Sequence, residues 1–96
     1  MAFADTYEFD SLVNEAERMV IHELEQQLTG AVGLCVCQDC VLDMAAFALN
    51  NVKPAYRVSL MGSVYARSAG NAAYAQGITQ AVRDAIARVR ANPSHD

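Results

Sequence analysis

Basic residues are scarce in this chain: Lys and Arg number 7 against 11 Asp and Glu, for a formal net charge of −4. A protein that reads duplex DNA normally presents a basic face, so that class is set aside. A local arginine pocket for a small anion remains compatible with an acidic whole. Long apolar runs are missing as well. No stretch approaches the roughly 20 residues that span a bilayer, and the first residues lack the basic region and apolar run of a secretory signal. A cytoplasmic protein without membrane or duplex nucleic-acid partners is expected. Repeats, low-complexity tracts and linkers are absent too, so residues 1–96 read as a single domain. Two catalytic signatures are missing. Gly62, Gly70 and Gly77 are scattered rather than gathered into a phosphate-cradling loop, and Ser59, Ser63 and Ser68 have no histidine in sequence reach. No enzyme is expected.

What is present is an apolar, alanine-rich composition (53% hydrophobic), which suits closely packed helices. A chain of this size forms a core but a marginal one, so a metal or a partner subunit would help it. A first helix is expected to start between Asp5 and Ser11 and to close at Thr29-Gly30. Its stripe is Leu12, Val13, Ala16, Met19, Val20, Leu24 and Leu28. At 1.5 Å per residue it would be about 30 Å long, more apolar stripe than so small a chain covers, and a homodimer is expected on that ground. A second helix, Asp39 to Asn50, is apolar on every face and reads as buried, with Asn50-Asn51 as a left-handed exit and Pro54 forbidding continuation. Tyr56 to Leu60 alternates like a short strand, which would need an edge to pair with, such as its copy in a second chain. Gly62 is expected to break the following stretch. A last helix, from about Asn71 to Ala91, carries Ile78, Val82, Ala85, Ile86 and Val89 on one face and Arg83 and Arg90 on a solvated one. The fold class is therefore mainly α, a compact domain of three principal helices and one short strand.

The most improbable feature by composition is Cys35-x-Cys37-x2-Cys40, three cysteines in six residues. An odd, bunched set fits a reducing compartment better than a disulfide framework. Cys35 and Cys37, two apart in an extended segment, leave the backbone on the same side. Cys40 follows at a helix start, where the dipole favours a thiolate. Tetrahedral zinc needs four donors, and this knuckle supplies three. His22, Asp43, His95, water or an outside ligand are candidates for the fourth. Three thiolates lower the metal's Lewis acidity, which suits a structural role. Buried structural thiols and a Cys37–Cys40 redox pair are the alternatives; the missing βαβ pattern weighs against the second.

These residues also carry a resemblance. The cysteine knuckle followed by Val41-Leu42-Asp43, Ala45 to Asn50, then Pro54 and Tyr56, is similar to the late competence protein ComFB family. So are Asn14-x-x-Glu17-x-x-Val20, Gly62 with Val64-Tyr65-Ala66, and Asn92-Pro93-x-His95. The resemblance spans about Asn14 to His95. It implies a small helical dimer with zinc held by Cys35, Cys37 and Cys40. It also implies similarity to bacterial receptors for cyclic dinucleotides, cyclic di-GMP above all, acting through a protein partner. Where family members usually carry Pro-Arg-Tyr, this chain has Pro54-Ala55-Tyr56, with its arginine displaced to Arg57. Arginines pair with phosphates and stack on purines beside aromatic platforms. Tyr56, Arg57, Tyr65 and Arg67 are accordingly the candidate ligand residues.

Overall fold

The structure, a computed structural model, describes residues 2–58 and 60–93, with the backbone alone over 60–71. Its order is α1 (Phe3–Thr6), a 3-10 turn (Phe9–Ser11), β1 (Val13–Asn14), α2 (Glu15–Leu28), α3 (Gln38–Leu49), β2 (Tyr56–Arg57) and α4 (Leu60–Ala91). The helix α2, α3 and α4 pack on one another, and β2 lies against α4. No described helix is long and apolar enough to cross a membrane.

The core is three short stripes facing one another. α2 gives Ala16, Val20 and Leu24; α3 gives Cys40, Met44 and Ala48; α4 gives Ile78, Ala81, Val82, Ala85 and Val89. Steps of three and four residues keep each set on one helical face. Small residues hold five of these eleven places (Ala16, Cys40, Ala48, Ala81 and Ala85), so the helices approach closely around Met44, Val20 and Val82, the largest fully buried side chains. The expected α4 stripe is in place, with Ile86 packed at its edge.

Several expectations are corrected. α2 begins at Glu15, because the Asn14 side chain caps it by accepting from the Ala16 N–H at 3.1 Å. Leu12 and Val13 therefore precede the helix, and its 14 residues span about 21 Å rather than 30 Å. The strand partner is β1 of the same chain, antiparallel, with Val13 opposite Arg57 and Asn14 opposite Tyr56. α3 is buried on one face only: Leu42 stands 59% exposed, because α2 and α4 cover just the Cys40–Met44–Ala48 side. Gly30, at φ +79°, takes the left-handed turn expected after α2, but no described non-glycine residue has positive φ, so Asn50-Asn51 is not a left-handed exit. The Asn51 amide instead donates to the Phe47 carbonyl at 2.8 Å. Finally, α4 runs through Gly62 and Gly70. A glycine costs a helix only about 1 kcal/mol relative to alanine, too little to end one of 32 residues. On the same helix Arg88 lies over the Phe47 ring and Asp84 accepts from Gln80.

Candidate metal centre and the arginine-braced strand

The segment between α2 and α3 turns twice on glycine, at Gly30 and at Gly33 (φ +76°), and delivers the cysteines to the start of α3. Cys37 is the N-cap of that helix, its Sγ accepting from the Cys40 N–H at 3.5 Å. Thus the bond that starts the helix also sets two sulfurs side by side. Cys35 and Cys37 are exposed while Cys40 is fully buried, where it also belongs to the core beside Met44. All three sulfurs lie within 4.8 Å of one another. Four thiolates around a tetrahedral metal at 2.3 Å would stand about 3.8 Å apart, so the three positions fit a soft ion with little adjustment. The knuckle could hold a metal, with one face open to solvent. Among the described residues no fourth His, Cys, Asp or Glu joins the group. His22 is exposed on α2, and His95 lies outside the described residues.

The second site is built on β2. Tyr56 is 62% exposed and opposes Asn14. Arg57 turns inward, and its Nε donates to Glu15 Oε1 at 2.6 Å. The other carboxylate oxygen, Oε2, accepts from Arg18 Nε at 3.1 Å. Glu15 is the buried charged residue of the described core, and it survives burial because both oxygens are paired. The Arg57 bond first, then that of Arg18, holds its carboxyl below the ordinary value of 4.5, against the opposing effect of burial. Backbone bonds brace the same place. Asn14 Oδ1, already capping α2, accepts from the Ala55 N–H at 2.7 Å, and the Glu15 N–H donates to the Ala55 carbonyl at 2.8 Å. Tyr74 of α4, whose phenol is pushed up by burial, donates to the Lys53 carbonyl.

The fold thus brings Cys35, Cys37 and Cys40 together, and sets Tyr56 beside Arg57. The side chains of Tyr65 and Arg67 lie outside those described; their backbone is in the first half of α4, the helix against which β2 packs. Glu15 was not among the candidate residues singled out from the sequence. An arginine in an alternating strand was a signal that some carboxylate would face it, but nothing local said which.

A short helical domain with a cysteine knuckle at the start of its middle helix defines a recognisable class. The family described as late competence development protein ComFB matches residues 13–93, and the chain belongs to it. The solved structure of the late competence protein ComFB from Bacillus subtilis is similar at a TM-score of 0.63 and 26% identity, covering 86% of this chain and 94% of that one. No curated protein matches the chain.

Proposed function

We propose that this chain is a cytoplasmic, non-catalytic regulatory protein that acts as a homodimer. A structural zinc at Cys35, Cys37 and Cys40 fixes how α3 leaves its loop, and a cyclic dinucleotide, cyclic di-GMP in preference to others, binds beside β2 and is relayed to a protein partner. When bound, zinc supplies a cross-link between the loop and α3 rather than a reacting centre. The thiols themselves position it: Cys37 from the helix cap, Cys40 from the core, Cys35 from the loop.

One observation carries the ligand reading. An exposed aromatic ring, Tyr56, stands next to an arginine already fixed in place by a buried carboxylate. Two guanidiniums against one carboxylate leave the Glu15–Arg18–Arg57 trio net positive on an acidic protein, which suits a phosphate. Tyr56 offers a face for a purine; Tyr65 and Arg67, whose backbone lies in the first half of α4, are the further candidate ligand residues. Calorimetry of the metal-loaded protein tests this. Heat of binding with cyclic di-GMP, weaker with cyclic di-AMP, is expected; no heat with either at high ligand concentration overturns it.

A second reading has its own support. Ile21, Val36 and Leu42 are each about 60% exposed, a pattern that suits a zinc-stabilised protein-interaction module without nucleotide binding. A calorimetrically silent protein that still sediments as a dimer would select it.

A further inference from the structure

The N-terminal arm, residues 2–12, precedes the family match, which begins at residue 13. It is organised nonetheless. Phe3, Tyr7 and Phe9 form one aromatic cluster, with ring centroids 4.9, 6.0 and 6.4 Å apart. The cluster is itself left uncovered: Phe3 is 70% exposed, and no residue of α1 or the 3-10 turn is buried. Asp5, Glu8 and Asp10 are interleaved with the rings, and among the described residues none of them has a basic partner. The arm is therefore an apolar surface edged with uncompensated negative charge.

Its complement is at the other end of the chain. A groove of about 560 Å³ runs beside the end of α4, lined by Gln27, Arg83, Ile86, Ala87, Arg90 and Ala91. Arg83 and Arg90, seven residues or about 10 Å apart along the helix, stand on either side of the Ile86–Ala87 floor. Neither has a carboxylate partner among the described residues. The arm leaves the domain next to the first residue of α2, whereas Gln27 is near the last, 12 residues and about 18 Å further along. In the observed conformation a chain does not fill its own groove.

We infer that the acidic aromatic arm of one chain docks into the Arg83–Arg90 groove of a second copy, and that two such exchanges close the dimer symmetrically. The charges match in sign, the rings meet an apolar floor, and guanidiniums beside aromatic rings add cation–π attraction. The exposed parts of Phe3, Tyr7, Phe9 and Leu12 offer roughly 400 Å² per arm for burial. This rests on the homodimer reading above and adds the surfaces that form it.

The test is a charge-swap in solution by sedimentation, with circular dichroism confirming that each variant is folded. One variant carries Asp5→Lys, Glu8→Lys and Asp10→Lys; the other carries Arg83→Glu and Arg90→Glu. Each alone is expected to weaken dimerisation by at least about tenfold, and mixing the two should restore it, because each altered arm then meets an altered groove. Reversals that leave the dimer intact overturn the arm exchange while the homodimer stands. Loss of the dimer without rescue on mixing also overturns it, placing the arm in its own groove or elsewhere. A wild-type monomer overturns both readings.

Discussion

Glu15 and Arg57, 42 residues apart in sequence, meet through a 2.6 Å contact between Oε1 and Nε. It fastens the first residue of α2 to the strand that carries two of the candidate ligand residues, Tyr56 and Arg57. The carboxylate is buried, whereas its second partner, Arg18, is 64% exposed. The two arginines are therefore unequal. Arg57→Ala should lower stability by about 1.5–3 kcal/mol, the range for a charge-assisted hydrogen bond lost to a buried acceptor. Arg18→Ala should cost about 0–1 kcal/mol, as for an exposed ion pair. Urea unfolding of the two variants measures the difference, and equal losses would mean that the strand does not hold Glu15.

The same pair sets a pH dependence. The folded-state pKa of Glu15 is depressed below 4.5. Its contribution to stability is therefore present above that ordinary value and lost as pH falls through the lower, folded one. Glu15→Gln removes this component. The stability gap between wild type and Glu15→Gln should be constant from pH 7 to about 5 and shrink below about pH 4.5. Comparing both proteins free of metal, with chelator present, keeps thiolate protonation out of the difference. A gap that widens in acid would contradict the pairing.

How much of this was legible in the sequence follows from the range of each interaction. Val20 and Leu24, Met44 and Ala48, and Val82 and Val89 repeat at helical spacing, so their burial could be read locally. Cys35, Cys37 and Cys40 were legible for the same reason, since six residues of chain can place three sulfurs together. Glu15 was not, because its meaning depends on Arg57 and on the path of the whole chain between them. Leu12 and Val13 misled by extending the apolar period past the true helix start; the Asn14 cap decides the boundary, and caps compete on hydrogen bonds rather than hydrophobicity. Gly62 misled through the opposite error, a local preference too small to outweigh the helix around it.

Cys37 has two jobs, as the helix cap and as a sulfur donor, and one substitution separates them. Serine is a strong N-cap but a poor soft-metal ligand, so Cys37→Ser should keep α3 and the metal-free stability. It should also reduce the zinc content from about one per chain. Wild type should lose about 10–20 °C of melting temperature when zinc is stripped. That range corresponds to about 2.7 kcal/mol of linkage at a hundredfold excess over Kd and to about 4–8 °C per kcal/mol in a domain of this size. Cys37→Ser should show no such chelator response. Cys40→Ala, by contrast, should lower the melting temperature even without metal, because that side chain is fully buried in the core. Native mass spectrometry and thermal melts decide between these outcomes, and an unchanged zinc content in Cys37→Ser would remove this cysteine from the site.

Tyr56 and Ala55 divide the binding proposal from the stability of the strand. The Tyr56 ring is 62% exposed, so Tyr56→Ala should change stability by only about 0.5 kcal/mol. If the ring stacks on a purine, the same change should weaken cyclic di-GMP binding by about 1–3 kcal/mol, read by calorimetry. Ala55 contributes its backbone to Asn14 and Glu15, through bonds that do not depend on its side chain. Ala55→Arg, which rebuilds the Pro-Arg-Tyr pattern usual in similar proteins, should therefore leave the fold intact. A further charge-assisted contact to phosphate should tighten binding on the order of tenfold. Should Tyr56→Ala and Ala55→Arg both bind as wild type does, the ligand contacts some other surface, and the β2 site is refuted while the metal knuckle is untouched.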